Sequence, residues 1–235
     1  MILIACGLQR EAKLLAAPNI VAVPGGGNAA GLEAALENQL EFFPDVALIL
    51  SCGIAGALDP ALGVGDVVLH IPPFVPSDVE GRARGASPDA RVSASLDTNG
   101  LWRLEKLLPE AHHGAILGQD HIAASPAEKA RLHAATGALA VDMESHVAAR
   151  VAQRHGLPFA AIRVISDTAR DALPPAALVG MNPDGSMALG RVLASLARQP
   201  TQLPALIRIG RQSGKAFARL PEIAKAIAAL PGVRT

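Results

Sequence analysis

Short uninterrupted apolar runs alternate along the chain with stretches where hydrophobic residues recur every three or four positions, and this predicts a layered α/β fold. Residues 2–6 read as a buried strand, 10–17 as a short helix, and 21–24 as a second strand that stops at Gly25, Gly26 and Gly27. A helix is predicted over 28–43, with Leu32, Leu36 and Leu40 on one stripe. A third strand over 46–52 is expected to end in a glycine turn, Gly53-Ile54-Ala55-Gly56. Further strands are expected over 66–74, 115–117, 138–141 and 158–166, and helices over 98–108 and 143–155. A loop rich in Pro, Gly and Ser separates the first of these strands from the helix at 98. Ser125 before Pro126, with Glu128 following, marks another helix start.

After Asp171 the pattern changes. Pro174, Pro175, Pro183 and Gly185 break the chain, and helices are predicted over 187–197 and 204–220. The segment 221–230 is amphipathic and mildly basic. It reads as a helical cover on the sheet, with a membrane-surface helix as the alternative. Without an internal repeat or a second core pattern, the 235 residues suit one domain, with 172–235 a helical C-terminal region of its own character. The fold class expected is a three-layer α/β/α sandwich around a mixed, twisted sheet.

Half of the residues are hydrophobic and the 21 basic residues balance the 21 acidic ones, so no basic face advertises nucleic-acid binding. No run approaches the ~20 apolar residues needed to span a bilayer. Cys6 and Cys52 both sit in apolar runs, which fits free thiols in a cytoplasmic protein. The histidines lack metal-ligand spacing, and no metal or organic cofactor is expected.

Several residues could carry chemistry. Asp167 follows Ser166 at the end of a buried strand, where open α/β sheets place their ligands, and a half-shielded carboxyl there can act as an acid. The alternative is that it caps the next turn. Met143 and Glu144 stand at a strand-to-helix junction, where Glu144 can accept sugar hydroxyls or merely suit the helix dipole. Glu11, after Gly7, can orient a water or pair on the surface with a cation. Glycines 25–27 and 53–56 let backbone N–H groups approach a ribose or phosphate, but match no nucleotide fingerprint.

Taken together, Val141-Asp142-Met143-Glu144-Ser145, then Arg163-Val164-Ile165-Ser166-Asp167, and the Ser51–Leu58 and Gly63–Val68 stretches resemble the purine nucleoside phosphorylase and methylthioadenosine/adenosylhomocysteine nucleosidase superfamily. The resemblance runs from residue 1 to about 170. It implies that Asp167 protonates a leaving purine, with Ile122, Ala123 and Ser166 around the base. Met143 and Glu144 would hold the ribose, and Glu11 would position the nucleophile. Gly7, Gly26, Gly27, Cys52, Gly53 and Ile54 would line the nucleophile or phosphate loop.

The tail around Leu173–Met181 is most like the hopanoid-associated phosphorylase group, which implies release of adenine from adenosylhopane in bacterial hopanoid synthesis. A small nucleoside, lipid-linked in that reading, is thus the expected partner, within a homodimer or higher oligomer and with peripheral membrane contact as an option. The chain departs from the phosphorylases at three places. Glu11 and Ser51 stand where they carry phosphate-binding arginines, and Ile122 stands where an aromatic residue stacks on the base. Two missing cations slightly favour water over inorganic phosphate as the co-substrate, with the adjacent Arg10 as the alternative cation for phosphate.

Overall fold

The computed structural model describes residues 1–72 and 101–230 of the chain. The expected Pro/Gly/Ser loop and the start of the helix predicted from 98 lie outside these described residues. In chain order the elements begin with β1 (Ile2–Cys6), α1 (Gln9–Leu15), β2 (Ile20–Pro24), α2 (Ala29–Phe42), β3 (Leu48–Ala57), β4 (Val67–His70) and α3 (Trp102–Leu107). They continue with β5 (His112–His113), β6 (Ile116–Gly118), α4 (Pro126–Thr136), β7 (Ala140–Asp142), α5 (Ser145–Arg154) and β8 (Phe159–Asp167). The C-terminal region holds α6 (Pro175–Leu178), α7 (Leu189–Arg198), a single 3-10 turn (Pro200–Gln202) and α8 (Leu203–Ala228).

The sheet runs in the order β2-β1-β3-β8-β4-β5. β1 is parallel to β2 and β3, and β3 is parallel to β8, whereas β4 lies antiparallel to β8. β7 pairs antiparallel with the far end of β3 and parallel with β6, so the sheet is mixed, as expected. Burial on both faces explains the unbroken apolar runs. On β1, Ile2, Ile4 and Cys6 face a cluster built with α8, while Leu3 and Ala5 face one built with α2 and α5. Helices therefore cover both sides of the sheet, which makes the three-layer sandwich.

Local chemistry sets the helix ends. Asn28 Oδ1 accepts from the Gly31 N–H at 3.1 Å, and Ser125 Oγ accepts from the Glu128 N–H at 3.2 Å, each satisfying an orphan donor. Gly137 ends α4 at φ +67°, a left-handed position that a side chain resists.

Three expectations need correction. The Gly53–Gly56 segment is not a turn, because β3 continues through it to Ala57. The strand expected over 66–74 is formed over Val67–His70. Pro221 does not divide the C-terminal helices, since α8 runs on to Ala228 with Pro221 inside it. An interior proline costs about 3 kcal/mol in an isolated helix. Here Phe217, Leu220, Ile223 and Ile227 on both sides of it are buried against the strands, and that packing outweighs the lost hydrogen bond. The segment 221–230 is accordingly a cover on the sheet.

Candidate active site

Three charged side chains converge at the C-terminal ends of β1, β3 and β7. Glu11 sits in the first turn of α1 yet is almost wholly buried. Its Oε2 accepts from the Gly7 and Leu8 N–H groups and its Oε1 from the Ile54 N–H, all at 2.7 Å. A carboxylate has about four acceptor positions, so one on Oε1 stays open. Burial pushes the Glu11 acid upward, opposed by these N–H donors and by the Arg163 charge.

Arg163 is fully buried in the middle of β8. Its Nε lies 2.5 Å from Asp142 Oδ2, and its Nη2 donates to Ser51 Oγ and lies 3.4 Å from Glu144 Oε2. Burial works against its charge, but Asp142, Glu144 and Glu11 outweigh it and hold the guanidinium protonated. Nη1 is buried with no hydrogen-bond partner among the described residues.

Two glycines make this convergence feasible. A Cβ on Gly53 would stand 2.6 Å from Glu11 Oε1 and 2.8 Å from Arg163 Nη1. On Gly7 it would stand 3.0 Å from Glu144 Oε1 and 3.3 Å from Glu11 Oε2. Gly53 within β3 and Gly7 just after β1 thus clear room for charged groups, which is why the glycine-rich stretch of β3 persists as a strand.

Asp142, rather than Glu144, satisfies the start of α5. Its Oδ1 accepts from the Glu144 and Ser145 N–H groups at 3.1 and 2.9 Å. The Glu144 carboxyl makes no capping bond and is left for other partners. Burial pushes its acid up to about 8; Arg163 opposes the shift, while Asp142 and Glu11 add to it.

Asp167 ends β8 opposite Gly56. The pairing passes from Ala55↔Ile165 to Gly56↔Asp167, so Ser166 is the extra residue of a β-bulge that re-aims the acid. A Cβ on Gly56 would lie 3.1 Å from Asp167 Oδ2 and 3.6 Å from Val141 Cγ1, so the acid meets the end of β7 here. Ser166 Oγ lies 2.8 Å from Asp167 Oδ1 and 3.1 Å from the Ala55 carbonyl, and its single proton serves one of the two.

Asp167 is not the solitary carboxyl that its sequence context suggests. Lys129 of α4, fully buried, places Nζ 2.5 Å from Asp167 Oδ2. The same ammonium donates to the Thr168 and Asp171 carbonyls at 2.8 and 3.2 Å, so its three protons are all directed.

Around this centre, Gly27 (φ +69°) would bring a Cβ 3.1 Å from Met143 Cε and 3.0 Å from Met181 Cε. At Gly26 (φ +58°) the clash is with the Pro183 carbonyl, 2.4 Å away. Residues 181–185 therefore lie over the glycine turn, and the Gly185 carbonyl accepts from the Gln9 N–H at 3.0 Å. Ile122 is half-buried on the link between β6 and α4, and Ala123 packs against Leu58, Ala138 and Val141. Cys52 contributes backbone only. Its thiol is buried in the core, and burial pushes it up to about 12.

Sequence reading missed the partners that complete the site. Arg163 carried a usable signal, as the one cation in a nine-residue buried strand. Lys129 carried none, because a lysine on a helix normally faces solvent.

Residues 21–197 match the family model of the Phosphorylase superfamily. A 5′-methylthioadenosine/S-adenosylhomocysteine nucleosidase of Mycobacterium bovis is 28% identical over 150 residues, covering 52% of this chain and 59% of that protein. The enzyme of the same name from Staphylococcus aureus is 29% identical over 143 residues, covering 55% and 59%. The chain thus spans about three fifths of the length of these relatives. Among solved structures, the Helicobacter pylori 5′-methylthioadenosine/S-adenosylhomocysteine nucleosidase superposes with a TM-score of 0.58 at 17% identity, covering 97% of this chain and 98% of that one. The Streptococcus pyogenes S-adenosylhomocysteine nucleosidase gives 0.56 at 18% identity, covering 95% and 96%. These two share the fold. The matched segment holds Met143, Glu144, Arg163 and Asp167 and most of the sheet, and by it the chain belongs to the phosphorylase superfamily.

Proposed function

We propose that the protein cleaves the N-glycosidic bond of a 5′-substituted adenosine, releasing adenine. The observation that carries this is the meeting of the open Oε1 position of Glu11, the unpartnered Nη1 of Arg163 and the Glu144 carboxyl around Gly7 and Gly53. Such a site suits one small oxygen nucleophile beside a sugar. Breaking the bond develops positive charge on the ribose, which the Glu11 carboxylate stabilises, while the Glu144 carboxyl hydrogen-bonds with ribose hydroxyls beside Met143. Glu11 takes a proton from the attacking water, oriented by Arg163.

The leaving base needs a proton at the same moment. Asp167 supplies it to the purine, and the carboxylate left behind is stabilised by the Lys129 ammonium in contact with it. Ile122 and Ala123 border the base in this reading. Water is favoured over phosphate, since the Glu11 carboxylate would repel a phosphate dianion and Ser51 engages Arg163 rather than offering a further cation. The likeness to nucleosidases of that named specificity supports an adenosine substrate. Adenosylhopane is the proposed natural substrate, on the resemblance carried by Leu173–Met181.

The test is base release from methylthioadenosine, adenosylhomocysteine, inosine and adenosylhopane, each with and without phosphate. Adenine release that needs no phosphate, with free sugar as product, is expected. Strict phosphate dependence with a sugar 1-phosphate would overturn the hydrolytic assignment, and no base release from any substrate would overturn the function.

A further inference from the structure

Among the described residues, every large hydrophobic side chain that is exposed, apart from Phe42 and Leu107, lies between Leu178 and Ile207. α7 is amphipathic but no residue of it is buried. Its outward stripe is Leu189 and Leu193, spaced i, i+4 and 63% and 65% exposed. Leu203 and Ile207 continue the apolar surface on the first turns of α8, and Arg211 and Lys215 extend that same stripe at four-residue steps.

These elements form one unit. Gln202, buried, accepts from the Ala176 N–H at 2.8 Å and donates to the Ser195 carbonyl at 2.8 Å, tying α6, α7 and the turn before α8 together. The unit adjoins the candidate active site, because the bridge between Met181 and Met187 leads from the methionine beside Gly27 to the start of α7.

Charge separates the possible occupants of this face. Between Asp184 and Glu222 the chain carries Arg191, Arg198, Arg208, Arg211, Lys215 and Arg219 and no acid. Arg208 reaches Asp171 and Arg219 pairs with Glu110, while Arg191 spends its donors on the Met181 carbonyl and Asn182, so it keeps its charge. In a twofold pairing of two copies, like cations would be brought together with no acid between them. An anionic bilayer surface instead accepts the leucines among its acyl chains and the arginines and lysine among its headgroups.

We propose that α7 and the first turns of α8 dock the protein on an anionic lipid surface, with the mouth of the candidate site facing the membrane. A nucleoside with an apolar 5′ substituent would then enter directly from the bilayer. This last step rests on the proposed glycosidic activity, whereas docking does not.

The test is sedimentation of the full chain with phosphatidylcholine vesicles, with and without phosphatidylglycerol. Binding to the anionic vesicles is expected, weakened by salt. Leu189→Ser and Leu193→Ser are solvent-facing changes that leave the core intact, and each should lower the partition coefficient roughly tenfold. Hydrolysis of soluble methylthioadenosine without vesicles reads the active site separately and should not change in these variants. Absence of binding to anionic vesicles, binding that both serine variants retain, or a dimer in sedimentation velocity that the variants dissociate would overturn the proposal.

Discussion

Gly53→Ala tests whether the carboxylate–guanidinium cluster is as tightly constrained as its contacts indicate. The new methyl group would stand 2.6 Å from Glu11 Oε1, 2.8 Å from Arg163 Nη1 and 2.9 Å from Glu11 Cδ. Ordinary contact begins near 3.4 Å, so about 0.8 Å of relief is needed. Neither neighbour yields freely. Oε1 is held by the Ile54 N–H at 2.7 Å, and the guanidinium is held by Asp142 and Ser51. Moving Glu11 breaks a hydrogen bond to a charged group, a loss of about 1.5–3 kcal/mol, comparable to the general cost of overpacking a core. For a chain of this size that lowers Tm by roughly 2–4 °C per kcal/mol. A shift approaching 1 Å in the group that positions the nucleophile should lower kcat on methylthioadenosine by on the order of 10²-fold. Thermal melts and steady-state kinetics read the two effects. An unchanged Tm with a wild-type kcat would refute the reasoning.

Other outcomes follow from the same contacts. Lys129→Met strips the buried Asp167 of its cation and should cost about 3–5 kcal/mol in urea denaturation; adding Asp167→Asn should recover part of it, and simple additivity would mean the pair is uncoupled. Folded Glu144 holds its proton up to about pH 8, whereas the unfolded chain releases it near 4.5. Its contribution to stability is therefore complete below 4.5 and is lost as pH rises through 8, so Tm should decline across that window and Glu144→Gln should flatten the decline. Gly210→Ala, in an α8 position with nothing within 4 Å of the new Cβ, should stabilise the protein by about 0.5–1 kcal/mol and leave kcat unchanged.

Much of the architecture was legible because it rests on local signals. β1 has identical bounds in sequence and structure because an unbroken apolar run that stops at Gly7 admits little else. Ser125 and Pro126 announce α4 through capping chemistry that acts within four residues. What was not legible depends on distant partners. The Gly53–Gly56 run looks like a turn until Glu11, Arg163 and Asp167 arrive from other elements to occupy the space the missing side chains leave. Asp167 was picked out by its strand end, yet the bulge at Ser166 and the ion pair with Lys129, 38 residues away, exist only in three dimensions. Pro221 misled for the same reason, since burial of its neighbours decides the helix and local propensity does not.

The central claim is that Asp167 delivers the proton that lets the purine leave. The most direct measurement is kcat for adenine release from methylthioadenosine by Asp167→Asn, with Tm recorded to verify folding. A folded variant slowed by about 10²–10⁴-fold is predicted. A folded variant that releases adenine at the wild-type rate would contradict the account.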